Sequence, residues 1–152
     1  SEQIASRKLA SERHKERHYA MQALYQNQFN ETSVLEIETQ FRVDFNMKGT
    51  DFDYFRELIT ETQRHKTKLD NLVQPFFTDR EIQECDAVTR ALLRIGVYEL
   101  NDRIDVPYKV VINEAVNLAK KFGPEDSHKF VNGILDKAAR ELRELEVSAN
   151  TQ

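Results

Sequence analysis

The chain has 152 residues, of which 32% are charged, and its formal net charge is −4. This negative charge excludes nucleic-acid binding driven by the field of the whole molecule, so any such binding must depend on local basic clusters. The length favours one domain, or two small helical halves, that buries roughly 70% of the unfolded surface, and the single cysteine, Cys85, excludes an intramolecular disulfide. The sequence has neither an 18-residue apolar run nor a basic and then apolar leader, so we expect a cytoplasmic protein without a membrane segment.

The spacing of apolar residues predicts an all-α fold of about seven helices. Only four glycines and three prolines occur, and β-branched residues do not alternate with polar ones over any useful length. We expect residues 1–10 to form a flexible segment and the first helix to run from about Ser11 to Phe29. The sequence Ser33-Val-Leu-Glu36 matches a capping box and predicts the start of a second helix. A third helix should run from about Asp51 until Pro75 prevents its continuation.

Three further helices are expected before the last one. A short helix should be capped by Thr78 or Asp79, and a longer fifth helix carries the apolar positions between Val88 and Leu100. Pro107 suits the first turn of a sixth helix, which the sequence Phe122-Gly123-Pro124 ends.

The last helix should begin near Asp126 or Ser127. Its buried side is expected to carry Phe130, Ile134, Leu135, Ala138, Leu142 and Leu145. Gly133, inside this helix, predicts a close contact with a neighbouring helix. Residues 147–152 lack apolar periodicity, so we expect a mobile tail after residue 146.

Signals for an enzyme are poor. The sequence has no glycine-rich phosphate loop, no GxSxG motif, no paired CxxC and no HExxH. His14 and His18 are four residues apart and could share a metal ion, but no third ligand is identifiable, and two exposed histidines are the simpler interpretation. We therefore predict a protein that is not an enzyme and has no metal or cofactor.

Two other arrangements have structural explanations. Cys85 could be a nucleophile with His128 as its base, but a lone cysteine in an amphipathic helix usually packs as a small apolar residue. Glu125 and Asp126 could form an acid–base pair, but their position at a helix start suits capping and the helix dipole.

A basic cluster near the N-terminus is the first signal for RNA binding. Its positive residues outnumber its two glutamates by three, and they are Arg7, Lys8, Arg13, Lys15 and Arg17. Such a run is more often a solvated helix face than a nucleic-acid site.

The turn between the last two predicted helices strengthens that signal. Lys120, Lys121 and Lys129 occur near Phe122 and Phe130. Single-stranded RNA is bound by this mixture, in which cations meet phosphates and aromatic rings stack on bases. In the alternative interpretation both phenylalanines belong to the core.

Three separated motifs closely resemble the NusB family. They are AMQALYQ in the first helix, LLRIGVYEL in the fifth, and the stretch DVPYKVVINEAVNLAKKFGPEDSHKFVNGILDKAA. The match extends from about Arg13 to Ala139. It implies two small helical bundles set side by side, an N-terminal one at about 11–75 and a C-terminal one at about 76–146.

The resemblance also implies a function. Members of the family act in transcription antitermination without being enzymes. They pair with NusE, a small-subunit ribosomal protein, and the heterodimer binds single-stranded boxA RNA of ribosomal RNA leaders. The bound RNA then helps RNA polymerase to resist termination.

The same resemblance supplies candidate RNA-binding residues, and it implies a different role for several of them. Phosphate contacts fall on Arg13, Lys15 and Arg17. The remaining motif positions near RNA are Tyr25, Thr89, Tyr108, Phe122, Glu125, Asp126, Lys129 and Phe130. Phe130 would stack on a base, and Asp126 would shape the turn or accept a base donor. Thr89 stands where the family often has a glutamate, and a hydroxyl there can still hydrogen-bond to a base.

Two other functions remain open. The helices could be the NusB-like domain of an RNA cytosine methyltransferase, which predicts a large catalytic extension. They could also be a purely protein-binding module, in which case Lys129→Ala and Arg13→Ala leave RNA binding unchanged. The sequence leaves monomer and homodimer open.

Overall fold

The structure, a computed structural model, describes the backbone of residues 2–30, 32–44 and 50–150, and the side chains in these ranges from residue 13 onward, except that of residue 44. All regular elements in these ranges are helical, which confirms the all-α prediction. The chain divides into two compact units, Ser1–Arg64 and His65–Gln152, so the division falls before the expected position near residue 75. No helix in the described ranges is long and apolar enough to cross a membrane.

Three helices occur in the described residues of unit 1. They are α1 (Glu2–Asn27), α2 (Val34–Asp44) and α3 (Phe52–Arg64). The predicted capping serine is in place, because the backbone N–H of Glu36 donates to Ser33 Oγ at 3.2 Å and so pairs an otherwise unsatisfied donor at the start of α2. Helix α1 begins at Glu2, so the segment expected to be flexible is helical from its second residue.

The core of unit 1 forms between α1 and α3. Met21 and Leu24 of α1 are buried, as are Phe55 and Leu58 of α3. The rings of Phe41, from α2, and Phe55 lie 5.4 Å apart, so α2 closes the same core.

Unit 2 contains five α-helices and two short 3₁₀ turns in the described ranges. The helices are α4 (Lys66–Val73), α5 (Ala87–Asp102), α6 (Tyr108–Phe122), α7 (Ser127–Leu142) and α8 (Glu144–Asn150), and the turns are Gln74–Phe76 and Ile82–Glu84. The predicted third helix is therefore two helices, because His65 leaves the helical conformation with φ −111° and ψ 27°. The short predicted helix is the second 3₁₀ turn, and its cap is Glu81 rather than Thr78 or Asp79.

A buried ion pair fixes α4 against α5. Arg94 donates through Nε and Nη2 to the two carboxylate oxygens of Asp70 at 2.8 and 2.9 Å. Both residues are more than 90% buried. Desolvation offsets much of the attraction in such a pair, so its main effect is to select one register of α4 on α5.

Arg143, which directly follows α7, holds the end of α5 and the loop after it. Its guanidinium donates to the backbone oxygens of Leu100 at 2.6 Å, Val106 at 3.0 Å, Glu99 at 3.0 Å and Arg103 at 2.8 Å. These oxygens belong to the last turn of α5 and to the loop that follows. A helix end leaves its last carbonyl groups without partners inside the helix, and one buried side chain supplies donors for them here.

The same arginine explains why the C-terminus differs from the prediction. The last predicted helix ends at Leu142 instead of continuing through Leu145, which is 87% exposed. Beyond Arg143 the chain forms α8 up to Asn150, where a mobile tail was expected. Glu146 of α8 accepts from Arg143 Nη1 at 2.7 Å and from the backbone N–H of Tyr108 at 2.8 Å.

Two helical glycines have opposite surroundings. A Cβ added at Gly96 would lie 2.8 Å from Leu135 Cδ1, whereas one added at Gly133 would have no neighbour within 4 Å. The prediction of a close helix contact at Gly133 was wrong, since the close approach occurs at Gly96, where α5 meets α7.

We predict that Arg143→Met lowers the free energy of unfolding by about 3 kcal/mol, because it leaves several buried carbonyl groups without donors. The measurement is urea unfolding followed by circular dichroism. Arg140→Met, one turn earlier and on an exposed side chain paired with Asp136, is the matched control and should change stability by less than about 0.5 kcal/mol. Equal midpoints for wild type and Arg143→Met would contradict the role given to Arg143.

The two glycines allow a second prediction. Gly133→Ala should stabilise the protein by about 0.5–1 kcal/mol, because alanine loses less backbone entropy in a helix and the site is open. Gly96→Ala should give no gain or a loss, because its methyl group would displace the buried Leu135 side chain. Thermal unfolding of both variants tests this, and a higher Tm for Gly96→Ala than for Gly133→Ala would refute it.

Candidate nucleic-acid interface

A cleft of about 250 Å³ lies in unit 2 beside the turn between α6 and α7. Four of the residues predicted to bind RNA line it, namely Thr89, Glu125, Asp126 and Phe130. Its other lining residues are Arg80, Cys85, Asp86, Pro124 and Ser127. Positions that are far apart in the sequence thus share one surface depression.

The α6–α7 turn has a shape that only a few side chains permit. A Cβ at Gly123 would lie 2.3 Å from Ser127 Oγ and 2.9 Å from the carbonyl oxygen of Ala119, so glycine is required by close approach. Asp126 has φ 64°, the left-handed conformation that aspartate tolerates better than most residues. Its carboxylate is exposed and lies 3.4 Å from Lys129 Nζ. The expected turn-shaping role of Asp126 therefore agrees with its backbone geometry.

Phe130 is partly exposed and has two aromatic or cationic neighbours. The Phe77 ring meets it edge-on, with centroids 5.4 Å apart and an interplanar angle of 89°. The guanidinium carbon of Arg80 lies 4.7 Å from the centre of the Phe130 ring. Phe122, at the end of α6, is 42% exposed. Neither phenylalanine is enclosed in the core.

The opposite wall of the cleft is the start of α5. Thr89 is only 2% exposed, and its hydroxyl donates to Asp86 Oδ1 at 2.6 Å while its N–H donates to Asp86 Oδ2 at 3.0 Å. Asp86 is therefore the cap of α5. The proton of the Thr89 hydroxyl is already donated to Asp86, so its oxygen could only accept from a base, and the residue is nearly completely buried.

Arg90 holds the segment in front of α5. It donates through Nε to the carbonyl oxygen of Ile82 at 3.1 Å and through Nη2 to that of Gln83 at 2.9 Å, and it also bonds to the carbonyl of Cys85. These bonds keep the 3₁₀ turn next to the cleft in place.

Tyr108 is 7% exposed and does not line the cleft. Tyr108, one of the motif positions that the resemblance places near RNA, is therefore packed where Pro107 leads the chain into α6, and its backbone N–H donates to Glu146.

In unit 1, the predicted phosphate contacts differ in exposure. Lys15 is exposed, and Arg13 is partly exposed with its guanidinium carbon 4.2 Å from the centre of the Tyr54 ring. Arg17 is 2% exposed and cannot reach a phosphate without rearrangement. The side chains of Arg7 and Lys8 are outside the described residues.

Tyr25, also in unit 1, is 39% exposed, and its ring lies 5.2 Å from that of Phe29, which is 67% exposed. A pair of exposed rings can contact RNA or a protein partner. The sequence singled out Tyr25 but not Phe29, which lies in the turn that follows the end of α1 at Asn27.

The enzymatic alternatives gain no support in the described part of the chain. No group of three or more His, Cys, Asp or Glu side chains is arranged there to hold a metal ion. Cys85 is 5% exposed, and burial raises the pKa of its thiol above the ordinary value. A buried, protonated thiol is a poor nucleophile.

The chain is similar to known proteins of one family. The sequence profile of the NusB family matches residues 14–140. A relative from Teredinibacter turnerae, called transcription antitermination protein NusB, is 52% identical over 92% of this chain and 95% of its own length. A protein of the same name from Marinobacter nauticus is 50% identical over 88% of this chain and 84% of its own length.

Solved structures agree on the fold. The T. maritima NusB structure has a TM-score of 0.75 and 30% identity, over 85% of this chain and 91% of that chain. A complex of antitermination factors NusB and NusE with dsRNA contains a chain with a TM-score of 0.69 and 24% identity, over 91% of this chain and 98% of that chain.

The buried thiol gives a pH-dependent prediction. Because the raised pKa leaves less thiolate at any given pH, folded protein should react with a disulfide reagent at pH 7.5 at least about tenfold more slowly than urea-unfolded protein, and the rate should rise as the pH approaches the raised pKa. The sequence has one cysteine, so the colour released reports Cys85 alone. Equal rates for folded and unfolded protein would restore the nucleophile hypothesis.

Proposed function

The chain belongs to the NusB family of transcription antitermination proteins, and we propose that it binds single-stranded boxA RNA of ribosomal RNA leaders as a heterodimer with NusE. In this proposal the bound RNA and NusE join RNA polymerase in the cytoplasm and make it resistant to termination. The chain itself carries out no catalysis. Its part is to hold RNA and a protein partner together.

The observation that carries the proposal is the composition of the cleft in unit 2. Phe130 is partly exposed and lines the cleft. Lys129 does not line the cleft, but it pairs with the lining residue Asp126 at 3.4 Å and its side chain is 73% exposed. An exposed aromatic surface with a cation near the same turn suits one unpaired base and its phosphate. The carboxylates of Glu125 and Asp126 can accept from the amino groups of a base, as the resemblance implies for Asp126.

Phosphate contacts are proposed for Arg13, Lys15 and Lys129. Each neutralised phosphate of a single strand contributes about −0.7 to the slope of log affinity against log salt, so three contacts give 3 × −0.7, or about −2. Arg17 is left out because it is buried. One or two stacked bases add roughly 1–3 kcal/mol each.

These terms predict modest affinity for a protein with a net charge of −4. NusE would supply a second part of the RNA contact, so that affinity rises when the heterodimer forms. A chain in the solved complex of NusB and NusE with dsRNA has this fold, which supports the choice of NusE and RNA as partners. No specific observation favours the methyltransferase or the purely protein-binding alternative.

The experiment is an anisotropy titration of labelled boxA RNA and a scrambled control at two salt concentrations, with and without NusE. We expect boxA to bind more tightly than the scrambled strand, and NusE to increase the affinity for boxA. Equal affinities with and without NusE would refute the partner role, and equal affinities for the two strands would refute the boxA preference.

Variants at Phe130, in the cleft, and at Lys129, beside the α6–α7 turn, separate stacking from charge. Phe130→Leu keeps an apolar side chain but removes the ring, so we expect about tenfold weaker boxA binding with an unchanged salt slope. Lys129→Ala should reduce the magnitude of the slope by about 0.7 on both RNAs. Lys137→Ala, an exposed lysine of the same helix outside the cleft, is the matched control and should bind like wild type. Binding by Phe130→Leu that equals wild type would contradict base stacking on this ring.

A further inference from the structure

Arg80, a residue for which the sequence predicted no role, lies over the ring on which a base is expected to stack. Its guanidinium carbon is 4.7 Å from the centre of Phe130, and its side chain is 44% exposed. The arrangement is a cation–π contact in which the planar guanidinium covers aromatic surface. A base stacked on Phe130 would compete with this guanidinium for the surface of the ring.

The backbone of Arg80 is fixed while its side chain is held loosely. Gln74 donates from Nε2 to the carbonyl oxygen of Arg80 at 3.1 Å and accepts from the N–H of Ile82 at 3.0 Å, so one carboxamide bridges the segment. The ion pair of Arg80 with Asp79 is long, at 3.7 Å, and the Asp79 side chain is 71% exposed. Such a contact offers little resistance to movement of the guanidinium.

The charges of the residues that line the cleft are a second argument for a role of Arg80. Among the described residues that line the cleft, Asp86, Glu125 and Asp126 are acidic, and Arg80 is the only basic one. A phosphate that enters with a base stacked on Phe130 would be repelled by these carboxylates. A cation released from the ring at the same place would offset that repulsion.

We infer that Arg80 is an RNA-binding residue with two positions: it covers Phe130 in the free protein and moves to a phosphate of the bound strand when a base takes its place on the ring. The inference rests on the proposed function, since it requires single-stranded RNA at this cleft. Its ligand is the phosphate backbone, so the contribution of Arg80 is independent of base sequence.

The test uses the full chain saturated with NusE and titrates boxA and scrambled RNA across a salt series. Arg80→Met keeps apolar cover on the ring but removes the charge. We expect it to reduce the magnitude of the salt slope by about 0.7 and to weaken both RNAs by the same factor, about fivefold at low salt. Arg80→Lys should retain the slope. Arg140→Met is the control, because Arg140 is also an exposed arginine paired with an aspartate, but it lies outside the cleft.

The outcomes distinguish this inference from the proposed function. If the wild-type heterodimer does not bind boxA, or Phe130→Leu binds equally well, the proposed function fails first. If wild type binds and Phe130→Leu is weaker, but Arg80→Met leaves the slope unchanged or binds more tightly, Arg80 only covers the ring and the inference is overturned. A loss confined to boxA would also overturn it, because it would assign Arg80 to base reading. Thermal unfolding of Arg80→Met that matches wild type ensures that any loss is not a folding defect.

Discussion

The network around Arg143 is the constraint on which the structure of unit 2 depends. One buried guanidinium satisfies the carbonyl groups where α5 ends, and Glu146 connects it to the first N–H of α6. An unpaired buried carbonyl costs about 1–3 kcal/mol, so several such groups left without donors would cancel a large part of the stability of a domain of this size. Because the start of α6 is fixed here, its other end, and the turn that follows, are held at the edge of the cleft.

Close packing completes what the hydrogen bonds begin. Because Gly96 has no side chain, α5 and α7 approach closely, and Leu135 occupies the space that a side chain at position 96 would fill. The ion pair between Asp70 and Arg94 fixes α4 against α5. The cleft lies where these constraints end. There the chain has Asp126 in the left-handed backbone conformation and Gly123 at a close approach, and these residue types tolerate a turn that is too tight for most others.

The sequence predicted features that depend on near neighbours. The Ser33 cap, the end of α6 at Phe122-Gly123 and the start of α7 all follow from residues within one turn of each boundary. Features set by distant partners could not be predicted in this way. The break at His65 interrupts an apolar pattern that continues on both sides, and the role of Arg143 depends on carbonyl groups about forty residues earlier.

The candidate site shows the same limit. Sequence spacing and the family resemblance brought Thr89, Glu125, Asp126 and Phe130 together, and the structure places all four at one cleft. Neither could distinguish a buried hydroxyl or guanidinium from an exposed one. The structure shows that Thr89 and Arg17 are both buried. Arg80 was missed because its partner Phe130 is fifty positions away, and only the fold brings the two together.

If RNA binds at the cleft as proposed, the energies at Phe130 decide whether a base can replace the guanidinium of Arg80 on the ring. A cation–π contact at an exposed site is worth about 0.5–1 kcal/mol, whereas a base stacked on an aromatic ring is worth roughly 1–3 kcal/mol. Exchange of the guanidinium for a base is therefore favourable, but only by a small margin before any phosphate contact is counted. A base in a duplex would first have to lose its own stacking and pairing, which costs a few kcal/mol and exceeds that margin. Under the proposed function, the cleft would therefore discriminate against paired RNA, and the remaining affinity would have to come from charges elsewhere on the chain and from a protein partner.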